Sequence, residues 1–135
     1  MALAMIFGIG TDLVSQERIA RSLQRFGDGF LARILTERER AQLADKPRVG
    51  AQLIRFVAQR FAAKEAFSKA LGTGINLGCG WRDAGVHNEA SGKPVLHVSP
   101  AMHARLQALG INAMHISLSD EENLTIAVVI LEKNL

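Results

Sequence analysis

The spacing of apolar and polar positions changes several times along the chain, and each change marks an element. Met5 to Val14 is apolar or β-branched, with glycines at Gly8 and Gly10, and predicts a buried strand. Ser15 then caps a helix reaching about Phe26, with Glu17 in the first turn, where negative charge is favoured. Gly27 and Gly29 interrupt the helical pattern. Thr36 and Glu39 have the spacing of a capping box and open a short helix that stops before Pro47. The longest helical stretch runs from about Val49 to Leu71 and ends at Gly72, a natural C′ residue.

A glycine-rich loop follows, carrying Gly72, Gly74, Gly78 and Gly80. Trp81 to Asn88 and Val95 to Val98 read as strands joined by the turn Ser91-Gly92-Lys93-Pro94. Ser99 caps a helix that starts at Pro100 and ends at Gly110. Met114 to Ser119 alternates apolar and polar residues, as a strand with one exposed face should. Leu124 to Leu131 is apolar on both faces, which places it centrally in the sheet. The expected order is βαααββαββ: an α+β fold, with an antiparallel or mixed sheet packed on the long helix. With no internal repeat, low-complexity tract or long linker, residues 1–135 are expected to form one domain.

Composition narrows the function classes. The chain is 48% hydrophobic and 21% charged, an ordinary globular balance, and no apolar run is long enough to span a membrane. Met1 to Gly10 is apolar but lacks a basic leader region and runs straight into a charged, helix-like segment, so a cytoplasmic protein is expected. Cys79 is the only cysteine, which excludes a disulfide framework within the chain. A net charge of +3 suits an acidic substrate or partner, yet falls well short of a nucleic-acid tail. The absence of tyrosine further weakens a base-stacking surface.

Asp12 is the first candidate for chemistry. On a strand its side chain shares a face with Gly8 and Gly10, whose missing side chains leave room for a ligand or for a neighbouring backbone. The alternative is a cap on the next helix, a task for which Ser15 is better placed. Taken alone, Asp12 is better explained by a structural role than by a functional one.

The second candidate is the helical run Arg60-Phe61-Ala62-Ala63-Lys64-Glu65-Ala66-Phe67-Ser68-Lys69-Ala70. Glu65 and Lys69 are four apart and share one face, while Arg60 and Lys64 share another. They could be surface ion pairs worth a few tenths of a kcal/mol. The alanines and phenylalanines around them argue instead for a buried helix, in which such charges need a metal or phosphate partner.

The loop Gly72-Thr73-Gly74 can let a ligand approach the backbone, but it follows a helix C-terminus and is no P-loop. By itself it reads as a helix cap. Phosphate near it has to be held by Lys69, Lys64 or Arg60, or by a cation. Arg18, Arg21 and Arg25 form a basic stripe along the first helix, either a solvated face or a dock for an acidic protein. His87, His97, His103 and His115 show no metal-ligand spacing and receive no role.

Three motifs in order carry a resemblance. Gly8-Ile9-Gly10-Thr11-Asp12-Leu13-Val14, then Arg60 to Ala66, then Lys69-Ala70-Leu71-Gly72-Thr73-Gly74 together resemble the holo-(acyl-carrier-protein) synthase family of phosphopantetheinyl transferases. The likeness extends through Gly92-Lys93-Pro94, His115 to Ser119 and Ala127 to Ile130. It implies transfer of 4′-phosphopantetheine from coenzyme A to a serine of apo acyl carrier protein, in support of fatty acid synthesis. It also implies a homotrimer with active sites between subunits.

By position, the resemblance makes Asp12 and Glu65 the ligands of Mg²⁺ and Lys69 the catalytic lysine; for the general base, Glu65 and a metal-bound water are both candidates. Arg60, Lys64, Lys69 and the Gly72-Thr73-Gly74 loop are then expected on the coenzyme side, and Arg18, with Arg21 and Arg25, on the carrier side. One departure stands out. After Ser117-Leu118-Ser119 this chain has Asp120, where many relatives carry histidine. The reading that competes with this one is a basic binding module in which Asp12 and Glu65 are structural.

Overall fold

The computed structural model describes residues 3–134, so Met1, Ala2 and Leu135, the extremities of the expected domain, lie outside the described residues. In chain order the elements are β1 (Ala4–Ser15), α1 (Gln16–Phe26), α2 (Asp28–Ile34), α3 (Glu37–Asp45), α4 (Gly50–Leu71), β2 (Ala84–Asn88), β3 (Pro94–Val98), α5 (Pro100–Ala108), β4 (Ile111–Glu121) and β5 (Leu124–Asn134). This is the expected α+β order with one further helix, α2.

Local signals explain most boundaries. The Ser15 hydroxyl accepts from the Arg18 amide, and the Ser99 hydroxyl accepts from the Met102 amide. Thr36 and Glu39 make both bonds of the capping box. Gly72, in the left-handed region at φ 94°, closes α4 by donating to the carbonyls of Ser68 and Lys69. Trp81 to Asp83, expected as strand, belongs instead to the loop before β2.

Two antiparallel sheets result. The larger has the order β1-β5-β4, so β5 is central as its apolar sequence implies, and β2 with β3 forms a separate hairpin. β1 pairs with β5 from Ser15↔Leu124 to Ala4↔Asn134, tying the two ends of the chain together. One face of this sheet lies on α4, whose Val57, Ala58, Ala62, Ala63, Ala66 and Phe67 are fully buried. Burying a side chain the size of Phe67 contributes about 2 kcal/mol.

The other face of the sheet is uncovered. Ile9 and Leu13 of β1 are 57% and 61% exposed, beside Leu124 and Ile126 of β5. Along β5 only alternate residues are buried, from Thr125 and Ala127 to Val129 and Leu131. The apolar character of its second face is therefore not used within the chain.

Candidate active site

Gly8 and Gly10 explain how β1 and α4 come to touch. A Cβ on Gly10 would lie 1.8 Å from the Ala66 carbonyl oxygen, and one on Gly8 would lie 1.9 Å from that of Ala70. No side chain fits at either position, and the small alanines opposite complete the close crossing. The space that the sequence left open for a ligand or a backbone is taken by the α4 backbone. Asp12, the next residue on this face, is thereby delivered to the part of α4 that carries Glu65 and Lys69.

The three residues meet there. The Lys69 ammonium donates to the Thr11 carbonyl at 2.9 Å and to Asp12 Oδ1 at 3.3 Å. Asp12 is largely covered, while Lys69 keeps about half of its side chain in solvent. Glu65 has no hydrogen-bonded side-chain partner among the described residues. Its carboxyl is pushed above the usual carboxylate range, first by burial and then by the negative charge of Asp12, against the opposing pull of Lys69 and Arg18. Two carboxylates repel each other beside one ammonium.

That donor set fits a hard divalent cation. Magnesium takes few protein carboxylates and completes its shell with water and substrate phosphate. Among the described residues there is no cluster of three or more His, Cys, Asp or Glu able to cage a metal.

Glu65 also lines a groove of 490 Å³, together with Arg18, Phe26, Phe30, Phe61 and Trp81 among others. The Phe61 and Trp81 rings lie 4.7 Å apart, and the Arg18 guanidinium sits over Phe61 at 5.3 Å. The arginine stripe is thus not uniform. Arg18 lines the groove, Arg21 is paired with Glu17 at 3.1 Å, and Arg25 stacks on Phe26.

Arg60 and Lys64 are not brought to this centre. Lys64 is fully buried, donating to Glu39 Oε1 at 2.6 Å and to the Ala84 carbonyl at 2.7 Å. Glu39 Oε2 accepts from the Val86 amide, so this buried pair ties α3 and α4 to the β2 strand. Burial pushes the Lys64 ammonium down, opposed by Glu39. The side chain expected beside the coenzyme is engaged in holding the core together.

Arg60 opens onto a different cleft, of 440 Å³, lined also by Lys46, Arg48, Arg55 and Phe56 and by no carboxylate. Its guanidinium lies 3.7 Å from the Phe56 ring centroid. Burial pushes its pKa down to about 10, with Glu39 raising it and Arg48 lowering it. Arg48 and Arg55 carry no motif signal and emerge only from the fold.

In the Gly72-Thr73-Gly74 loop, all three amides donate to the Ser68 carbonyl, closing the helix rather than pointing at a ligand. Cys79 is buried, and its thiol is pushed up to about 11, first by burial and then by Asp83, which leaves it unreactive.

The family model of the 4′-phosphopantetheinyl transferase superfamily matches residues 8–129. A holo-(acyl-carrier-protein) synthase of Neisseria meningitidis is 45% identical over 129 residues, covering 96% of this chain and all of the relative. The crystal structure of a holo-(acyl-carrier-protein) synthase from the same species superposes with a TM-score of 0.87 at 43% identity, covering 96% of this chain and all of that one. A holo-(acyl-carrier-protein) synthase of Bacillus anthracis, solved in complex with CoA (3′,5′-ADP), gives a TM-score of 0.79 at 40% identity, covering 96% and 98%. With the motifs, the α+β architecture and near-complete coverage in agreement, the chain belongs to the 4′-phosphopantetheinyl transferase superfamily, within its holo-(acyl-carrier-protein) synthase group.

Proposed function

We propose that this enzyme transfers 4′-phosphopantetheine from coenzyme A to a serine of apo acyl carrier protein in a Mg²⁺-dependent reaction that releases adenosine 3′,5′-bisphosphate. The observation that carries the reading is the convergence of Asp12, Glu65 and Lys69 beside an apolar groove. Asp12 and Glu65 are the residues that hold the ion. When bound, it supplies positive charge against the diphosphate.

Lys69, anchored on Thr11, contributes a second positive charge at the phosphate being transferred. Glu65 and a water held by the ion are the two candidates to take the proton from the carrier serine Oγ. The groove offers an aromatic-lined approach for the carrier segment that bears that serine, and Arg18 on its wall, with Arg21 and Arg25 along the same helix, suits an acidic carrier surface.

Coenzyme A carries two separate anionic groups, a diphosphate and a ribose 3′-phosphate. Arg60 lies five residues before Glu65, about 7.5 Å along the helix axis and on another face. The Arg60 cleft therefore suits the 3′-phosphate, with the diphosphate at Asp12 and Glu65. The CoA (3′,5′-ADP) bound by the Bacillus anthracis relative agrees in chemistry with this assignment. The Gly72-Thr73-Gly74 loop contributes close backbone approach next to Lys69.

The uncovered apolar face around Ile9, Leu13 and Ile126 supports assembly with further copies of the chain as a homotrimer. Among the described residues no helix is long and apolar enough to cross a membrane, and a cytoplasmic setting goes with both substrates.

Mass spectrometry of apo carrier protein incubated with enzyme, coenzyme A and Mg²⁺ tests the reading. A gain of one phosphopantetheine that disappears with chelator is expected. No gain, together with tight and salt-sensitive DNA binding, would establish the competing basic-module reading.

A further inference from the structure

The basic cleft is tied to the sheet by a chain of side-chain hydrogen bonds that ends on Asp120. The Asp120 carboxylate accepts from two directions: from the Thr125 hydroxyl at 2.6 Å on Oδ1, and from Gln59 Nε2 at 2.7 Å on Oδ2. Gln59 Oε1 in turn accepts from Arg60 Nη1 at 3.1 Å. On the other arm Thr125, fully buried in β5, accepts from Gln16 Nε2 at 3.2 Å. Every donor in both arms points toward the carboxylate.

This polarity has a consequence for Arg60. A glutamine amide presents an oxygen on one side and an NH₂ on the other, and its neighbours decide which way round it sits. Because Asp120 can only accept, it draws the Gln59 NH₂ to itself and turns the Gln59 oxygen toward the guanidinium. Without Asp120 the amide is free to flip and set its NH₂ against a cation. Gln42 and Asn88 hold the second terminal nitrogen, at 3.3 and 3.1 Å, and Phe56 lies under the plane. The buried Nε has no partner among the described residues. Gln59 is thus the one contact seen on Nη1 among the described residues, and it steers that nitrogen at the floor of the cleft.

We propose that Asp120 and Gln59 are positioning residues that hold the Arg60 guanidinium in place for the 3′-phosphate of coenzyme A. The proposal rests on the reading of the Arg60 cleft as the 3′-phosphate site. It gives Asp120, the position where the chain departs from its resemblance, a task within its own subunit.

The test uses steady-state kinetics of the full-length enzyme and calorimetric titration with adenosine 3′,5′-bisphosphate and with AMP, which lacks the 3′-phosphate. Asp120→Ala is expected to raise KM for coenzyme A and to weaken adenosine 3′,5′-bisphosphate about tenfold, the order expected for one charge-assisted contact. AMP binding, KM for the carrier protein and kcat stay within about twofold of wild type on the same reasoning.

Gln59→Met gives the same pattern, and the double variant is no worse than either single one, because both break one relay. Asp120→Asn restores most of the affinity, since its amide oxygen still accepts from Gln59 while its NH₂ donates to Thr125 Oγ1.

Arg55→Gln, on the cleft wall, separates the two ideas. If Arg55→Gln weakens adenosine 3′,5′-bisphosphate and Asp120→Ala and Gln59→Met do not, the relay is overturned while the cleft assignment stands. If Arg55→Gln, Asp120→Ala and Gln59→Met all leave adenosine 3′,5′-bisphosphate binding unchanged, the cleft assignment fails and the relay falls with it. Equal weakening of AMP and the bisphosphate in Asp120→Ala also overturns the proposal, by showing a general structural effect.

Discussion

At the scale of single residues, the centre depends on where Gly8 and Gly10 let β1 go. Substituting Gly10→Ala drives a methyl into the Ala66 carbonyl, and backbone on both sides leaves no flexible atom to yield. The expected cost is about 3 kcal/mol, read as a lowered midpoint of urea unfolding, with transfer activity falling as Asp12 is displaced. Glu65 makes a second prediction, with two opposite signs. Its raised pKa means that the ionised form is disfavoured in the folded protein, so at neutral pH the charge costs stability that protonation would restore. Glu65→Gln should therefore melt higher than wild type without metal, yet lose about 10²-fold or more in transfer rate. A variant melting lower than wild type would count against the strained-carboxylate account. Of the candidate residues that meet here, Glu65 and Lys69 share a face by helix geometry alone, while pairing them with Asp12 needed the resemblance. Lys64 shows the limit. Its helix position announced a buried cation, but its partner Glu39 is 25 residues away and belongs to a capping box that already looked satisfied.

At the scale of elements, the Lys64–Glu39 pair and the histidines beside it join α3, α4 and the β2–β3 hairpin. Removing one partner of a fully buried pair leaves the other uncompensated, so Lys64→Met is expected to cost about 3–5 kcal/mol in chemical denaturation. Should Lys64 instead serve the coenzyme, this variant would keep its stability and lose affinity. Close by, His97 meets Thr36 Oγ1 through Nε2 at 2.9 Å and His87 through Nδ1 at 3.1 Å. Burial first, and then His87 and Lys64 against the pull of Glu39, push His97 from 6.5 down to about 4. A histidine kept neutral in the fold binds its proton more readily when unfolded. Its contribution is therefore complete above pH 6.5 and is lost as pH falls toward about 4. His97→Gln should flatten that acid slope in a pH series of thermal melts. The elements themselves were largely readable because their signals are local: the caps at Ser15, Thr36 and Ser99 and the stop at Gly72 each act within a few residues. Helix α2 was not, since Gly27 and Gly29 break the pattern at its start and its stability comes from packing Ile34 into the core.

At the scale of the whole molecule, the uncovered sheet face is the feature that one chain alone does not explain. If further copies cover it, a charge there is expensive, and Ile126→Asp is expected to shift the sedimenting species from trimer to monomer while leaving the far-UV spectrum unchanged. A wild-type protein that sediments as a monomer at micromolar concentration would remove the assembly reading. The sequence signalled this face correctly as apolar, but periodicity reports only that a face is buried, never by which chain. The Arg48–Arg55–Arg60 cleft was legible only at Arg60, for a related reason: Arg48 and Arg55 come from a loop and a helix turn outside any motif. The pairing of β1 with β5 has a further outcome, this one in time. Asp12 and its register partner Ala127 are 115 residues apart in the chain. The strand that carries it cannot settle until so distant a partner has been found, so the centre is among the late contacts to form as the chain folds.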